Sequence, residues 1–188
     1  MCTLTSEQLV QNVNTLKYPP TFFSHGWIYG VWYCGTSFQK AVYYGQYPVT
    51  FTKRVAAMFP GEQMLHLCAG RARIGSAVNV DLHPLPETDL QADVEFLPIR
   101  SRSIGVVVID PPYSEEDATR YKCPRLIRAG GVLEECRRVL VPGGWIAWLD
   151  EKYPSYRRKD MRLRGLIGIV TGFERRARLL SLFQTNVD

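Results

Sequence analysis

The run Ile104-Gly-Val-Val-Val-Ile109 is apolar and largely β-branched, and Asp110-Pro-Pro-Tyr113 follows it without a break. A buried strand of this kind delivers an acid, two rigid imides and an aromatic ring to its carboxyl end, which is where open α/β sheets hold their ligands. Both prolines fix φ and neither has an N–H, so this stretch of backbone is stiff and presents acceptors only. The plainer reading of the same residues is a strand closed by a proline turn, with Tyr113 capping the core.

The elements that would position these groups follow from pattern. Thr5 or Ser6 can cap a helix running through Leu16, which Tyr18-Pro-Pro20 ends. Trp27 to Cys34 and Phe38 to Tyr44, separated by Gly35-Thr-Ser37, read as an aromatic-rich hairpin. Pro48 can start a helix through Met58, stopped by Pro60-Gly61, and Met64 to Cys68 is a short buried strand. Further strands are predicted at Ala77 to Val80, around Ala92 to Val94, at Ile104 to Asp110 and at Trp145 to Leu149. A helix from Val132 to Leu140, ended by Pro142-Gly-Gly144, joins the last two. The chain then gives a basic segment from Tyr156 to Arg164 and two strands, Leu166 to Val170 and Ala177 to Phe183. No repeat, linker or low-complexity stretch interrupts it, so one domain is expected, with residues 1–46 as an extension on a core of 47–188.

At 188 residues this domain can bury a sizeable core. No apolar run approaches membrane-spanning length, and the polar start lacks the layout of a secretory signal, so a cytoplasmic protein with no membrane partner is expected. The five cysteines are scattered without a C-x-x-C pair, which indicates neither a disulfide framework nor a metal site. A net charge of +5 permits a polyanionic partner without requiring one.

Asp110-Pro-Pro-Tyr113 resembles the D-P-P-Y motif of S-adenosylmethionine-dependent methyltransferases that modify exocyclic amines of nucleobases. The order of features over the core resembles their class I fold, an α/β Rossmann-like sheet. Leu65-His-Leu-Cys-Ala-Gly70 stands at the first-strand glycine loop, and Leu140-Val-Pro-Gly-Gly144 at the turn before the fifth strand. Tyr44-Gly-Gln-Tyr-Pro48, Ser114-Glu-Glu-Asp-Ala118 and Trp148-Leu-Asp150 narrow the likeness to a group of small methyltransferases common in phages and bacteria. The resemblance implies S-adenosylmethionine as cofactor, with Asp81 on the ribose hydroxyls and Asp93 near the adenine amine. Tyr47, Pro48, Cys68, Ala69, Gly70 and Asp110 are the further cofactor contacts it implies. His66 falls in the same loop and is placed with them, although a lone histidine in an apolar strand reads as a hydrogen-bonded core residue, and no proton transfer is assigned to it. Taken singly, Asp81 and Asp93 are also ordinary strand-end and turn acids.

In the chemistry so implied, Asp110 and the Pro111 carbonyl accept N–H bonds from the target amine. Pro112 stiffens the turn, and Tyr113 stacks on the displaced base. Arg157, Arg158, Lys159, Arg162 and Arg164, with Arg175 and Arg176 on the closing hairpin, suit phosphate contacts, and a solvated basic face is the competing reading. DNA adenine N6 is the leading target, an RNA base the alternative, and a catalytically silent cofactor-fold subunit the reading from another class. Parallel crossovers need about a dozen residues, yet only Arg71 to Ser76 separates the first two core strands, and Leu82 to Gln91 has no helical period. Two helices of the fold are therefore expected to be missing. Either the aromatic segment Phe22 to Tyr47 or a partner subunit, a second copy included, should cover the sheet face they leave.

Overall fold

The computed structural model describes residues 4–16, 20–34, 45–171 and 177–187. Along the chain come α1 (Ser6–Val13), β1 (Phe22–Ser24), β2 (Trp27–Tyr33), α2 (Phe51–Met58), β3 (Met64–Leu67), β4 (Val78–Asp81) and β5 (Leu90–Gln91). They are followed by β6 (Ile104–Ile109), α3 (Glu115–Arg120), α4 (Ala129–Val139), β7 (Leu140–Asp150), β8 (Met161–Val170) and β9 (Ala177–Thr185). The nine strands among the described residues form one sheet in the order β1-β2-β8-β9-β7-β6-β3-β4-β5. From β5 to β7 the pairs are parallel, β9 is antiparallel to both neighbours, and β2 runs parallel to β8. The central order, reversing direction of travel between β3 and β6, is that of a doubly wound sheet, whose switch point lies at the carboxyl ends of those two strands.

Alternation along the central strands sends side chains to two cores. Val106, Val108, Trp145, Ala147 and Leu149 face one side and pack under α1 and α2. Val107, Ile109, Ile146 and Trp148 face the other and pack under Val132, Leu133, Cys136 and Val139 of α4. No helix follows β3 or β4, as expected. Loop side chains fill those places: Ile74 and Ala77 join the first core, Val94 and Leu97 the second.

The cover of the first face is where expectation and structure part. Phe22 to Tyr33 contributes Ile28 and Trp32 to that core, but as an added sheet edge rather than a lid; α1 and α2 form the lid. The partner of β2 in its hairpin is β1, through a turn whose central residues His25 (φ 51°) and Gly26 (φ 79°) both take the positive φ of a type I′ connection. The predicted arm Phe38 to Tyr44 lies outside the described residues. Other differences concern boundaries. The helix capped by Thr5, with Gln8 completing a capping box, ends at Val13, and α2 starts at Phe51 rather than Pro48. Strand β7 starts at Leu140, because Pro142-Gly-Gly144 forms an irregularity inside the strand instead of ending α4; the pairing passes from Ile104↔Leu140 to Val106↔Trp145 across it. Strand β8 starts at Met161, so Arg162 and Arg164 lie on a strand. Helix α3 was not predicted; Ser114 accepts from the Asp117 N–H as its cap. No helix among the described residues is long and apolar enough to cross a membrane.

Candidate active site

The carboxyl ends of β3, β4 and β6 open on one cavity of about 960 Å³, at the upper end of the range for small-molecule sites. Its floor is the loop after β3. Cys68 (φ 54°) and Gly70 (φ 52°) both adopt left-handed backbone, which turns the chain sharply at the switch point. A Cβ on Gly70 would meet no atom within 4 Å, so its requirement for glycine is conformational and its outer side is open to the cavity. Asp81, the last residue of β4, holds this turn: its Oδ2 accepts from the Gly70 N–H at 2.8 Å and its Oδ1 from the His83 N–H at 3.0 Å.

The second acid is pinned as firmly. Asp93 Oδ1 accepts from the Glu95 N–H at 2.9 Å, and Oδ2 accepts from Arg125 at 3.1 Å. Arg125 also pairs with the buried Glu95 carboxylate, which takes a further bond of 2.8 Å from Arg128. Burial pushes the Glu95 carboxyl up, but the bonds from Arg125 and Arg128 outweigh it and hold the group below its usual range. These contacts tie the segment after α3 to the loop after β5, across the cavity. A second contact joins two residues of the cavity lining, where the absence of a side chain on Gly45 admits the Tyr121 ring.

At the third strand end, the Tyr113 O–H donates to Asp110 Oδ1 at 2.5 Å. Burial first, and then the Asp110 charge, push the Tyr113 hydroxyl far above its ordinary range, so it stays a phenol and a donor. The Arg178 guanidinium, from the start of β9, lies 5.8 Å from the centre of the Tyr113 ring. Tyr47, Cys68, Ala69 and Gly70 thus share one cavity wall with Asp81, Asp93 and the Asp110–Tyr113 turn.

Two predicted cofactor contacts stand outside it. Pro48 does not line the cavity; its carbonyl accepts from the Phe51 N–H at the start of α2. His66 is fully buried in β3 and belongs to a polar chain behind the wall. Asn79 donates through its amide nitrogen to the Glu87 carbonyl, which leaves its oxygen to accept from His66 Nδ1–H at 3.1 Å, while His66 Nε2 accepts from the Tyr47 hydroxyl at 2.9 Å. Burial is the main force lowering its pKa to about 4, against the Asn79 bond and the Asp81 charge. Between the ordinary histidine value and pH 4 the unfolded chain binds a proton that the folded one refuses. Stability therefore falls as pH drops through that window, by about 3 kcal/mol at most. Urea melts at pH 7 and pH 4.5 should show this loss, and His66→Gln should remove it; the same loss in the variant would assign it to other groups.

The basic segment is also elsewhere. β9 runs from Arg178 at the cavity to Gln184, which is opposite Arg162, so Arg162 stands roughly 20 Å down the sheet from Arg178. Arg157 is engaged by Asp160 at 2.6 Å, and Arg164 by Gln184 at 3.2 Å. Arg175 and Arg176 lie outside the described residues. Conversely, the sequence places Arg178 with Arg175 and Arg176 in a basic cluster suited to phosphate contacts and gives it no place beside Tyr113, and it gives no site role to Glu95, Arg125 or Arg128. The only signal for that network was an unusual alternation of acid and apolar residues in Asp93-Val-Glu-Phe96.

No family model matches the chain, and no curated protein matches it either. Among solved structures it is similar to TrmN from Thermus thermophilus, with a TM-score of 0.50 and 16% identity over 71% of this chain. It spans about half of that protein, 47% of its length. A TehB-like SAM-dependent methyltransferase from Corynebacterium glutamicum gives 0.48 and 15%, over 72% of this chain and 86% of that one. A SAM dependent methyltransferase from Aquifex aeolicus gives 0.47 and 14%, over 73% and 90%. At such identities the likeness is one of fold: an α/β, Rossmann-like sheet with methyltransferase neighbours, reduced by the helices missing after β3 and β4.

Proposed function

We propose that the protein is an S-adenosylmethionine-dependent methyltransferase that methylates an exocyclic amino nitrogen of a nucleobase, with adenine N6 of DNA as the leading target. The observation that carries this reading is the Asp110-Pro-Pro-Tyr113 turn facing the same cavity as the Gly70 loop and Asp81. The cavity fits the cofactor: a left-handed glycine turn leaves backbone accessible, a carboxylate ends the next strand, and Leu82, Val94 and Ile127 give the wall apolar area. Asp81 would hold the ribose and Asp93 the adenine end. When bound, the cofactor supplies an electrophilic sulfonium methyl.

The rest falls to this chain. An exocyclic amine is a poor nucleophile because its lone pair is delocalised into the ring; N–H bonds accepted by Asp110 and the Pro111 carbonyl localise the pair and aim it. The Tyr113 hydroxyl fixes the Asp110 rotamer through its bond to Oδ1, and its ring, backed by Arg178, is the surface for the base. Pro112 keeps the turn from yielding. Phosphates of the substrate fall to Arg178 at the rim. For a nucleic acid following the sheet to its far end, they fall also to Arg157, Arg158, Lys159, Arg162 and Arg164.

Calorimetry with S-adenosylmethionine, followed by tritium transfer to DNA, RNA and protein pools, tests the assignment. Saturable binding and label in the DNA pool are expected. Label in RNA alone would move the target to the alternative polymer, and the absence of a binding isotherm would leave a silent subunit. The far cations have their own readout: changing two of them to Gln should flatten log K against log salt by about one unit for each phosphate no longer neutralised, and an unchanged slope removes them from the interface.

A further inference from the structure

The chain between α3 and α4 is anchored at both ends and lightly held between them. At the end of α3 the Cys123 N–H donates to the Ala118 carbonyl at 2.8 Å and the Lys122 N–H to that of Thr119 at 3.0 Å, a Schellman motif with Lys122 in left-handed backbone (φ 57°). His83 ties this end to the loop after β4, its Nε2–H donating to the Tyr121 carbonyl at 2.9 Å. The start of α4 has no side-chain cap of its own. Instead the buried Glu95 carboxylate, from the loop after β5, accepts from the Arg128 N–H at 3.2 Å and from its guanidinium at 2.8 Å. Gly131 makes room for this, since a Cβ there would stand 2.7 Å from Glu95 Oε2. Among the described residues, no backbone-to-backbone bond reaches residues 124–127. Ile127 packs against the second core near the α4 end, but the middle of the span is held by Arg125, whose guanidinium joins Asp93 Oδ2, at 3.1 Å, to Glu95 Oε1. Lys122, Cys123, Pro124, Arg125 and Ile127 line the cavity with Asp93.

We propose that residues 122–127 are a strap across the adenine end of the cofactor cavity and that Arg125 is its latch, so that S-adenosylmethionine enters, and its demethylated product leaves, when the Arg125 link opens. Exposure makes Arg125 the part that yields. Its side chain is 41% exposed and that of Asp93 40%, and an ion pair shared with water is a weak link. Glu95 is the opposite case. Its side chain is 1% exposed, and a buried carboxylate left without donors is costly. Arg128 removes that obstacle, because its backbone and guanidinium bonds keep Glu95 satisfied when Arg125 lets go. The latch therefore opens without stranding a charge. Closure sets Arg125 on Asp93, the acid given to the adenine end, so latch and ligand meet at one carboxylate.

The strap rests on the cofactor reading of the cavity, and the test separates the two. Arg125→Met keeps an apolar stem and removes the charged fork. Surface plasmon resonance follows the binding of S-adenosylhomocysteine, the cofactor without its methyl. A latch governs passage in both directions, so association and dissociation should each quicken at least about fivefold in the variant, with the dissociation constant within about twofold of the parent's. The melting temperature should stay as it was. Arg125→Lys supplies a point charge in place of the planar fork and should fall between parent and Met. Trypsin gives a second readout that needs no ligand: cleavage after Arg120, Lys122 or Arg128 should be at least about fivefold faster in Arg125→Met, since proteolysis reads the open population. Unchanged binding rates, or faster dissociation alone with a matching loss of affinity, overturn the latch, the second result making Arg125 a simple cofactor contact. Faster cleavage with no binding of S-adenosylhomocysteine to parent or variant keeps the strap and fails the methyltransferase reading; binding with both rates and the cleavage unaltered does the reverse.

Discussion

Asp110→Ala is expected to lower methyl transfer by at least about 10²-fold, the order seen when one preorganised polar partner of a reacting group is deleted, with the melting temperature nearly unchanged. The carboxylate stands past the end of β6 on the cavity wall, so its removal opens no hole in either core. The substitution takes away an acceptor aimed at the target amine, together with the partner of the Tyr113 hydroxyl. Companion variants separate these. Tyr113→Phe keeps the ring and deletes only the bond that orients Asp110, so a loss of a few-fold is expected. Tyr113→Ala also removes the stacking face, worth about 1–3 kcal/mol per base, and should raise KM for the polymer. Asp110→Asn keeps an acceptor oxygen without its charge and should fall between parent and Ala. Single-turnover rates at saturating cofactor measure all four. Transfer by Asp110→Ala within a few-fold of the parent would take the residue out of the chemistry.

The sequence made this strand end legible because an apolar run followed by a rigid tetrapeptide allows little else. The glycine loop and Asp81 were singled out by the resemblance, since Asp81 taken alone reads as an ordinary strand-end acid; the fold brings both to the cavity. What stayed hidden was set by distant partners. Pro142-Gly-Gly144 carries every local mark of a helix stop, yet pairing with β6 draws it into β7 as an irregularity. The aromatic segment was identified as spare material, but its destination depended on β8 offering an open parallel edge, which no property of residues 22–33 announces. His66 reads as a core residue by type, yet the resemblance placed it among the cofactor contacts, from which the structure removes it. Its partners Tyr47 and Asn79 come from a loop and a neighbouring strand, and only the fold joins them. The position of the basic segment was likewise set by the fold: it follows the neighbour of the D-P-P-Y strand in sequence, but the chain first returns along the sheet and places Arg162 at its far end.

Asp81→Ala should weaken S-adenosylmethionine binding at least tenfold. Both carboxylate oxygens already accept backbone bonds, from Gly70 at 2.8 Å and His83 at 3.0 Å, but a carboxylate has about four acceptor positions, and the remaining ones can take the ribose hydroxyls. The substitution therefore acts twice. It removes an acceptor for the cofactor, at about 1.5–3 kcal/mol per charge-assisted bond before water compensates, and it frees the Gly70 N–H that keeps a left-handed turn in place. Asp81→Asn divides the two effects, because its single oxygen can hold the Gly70 N–H while its amide cannot accept from His83 or from a hydroxyl. The expected order of affinity is parent, then Asn, then Ala, with the Ala variant alone showing faster amide exchange at Gly70. Calorimetry gives the dissociation constants, and hydrogen exchange reads the loop. An Ala variant that binds the cofactor as the parent does, with Gly70 exchange raised, would mean that Asp81 serves the turn only and that the ribose is held by other residues of the cavity.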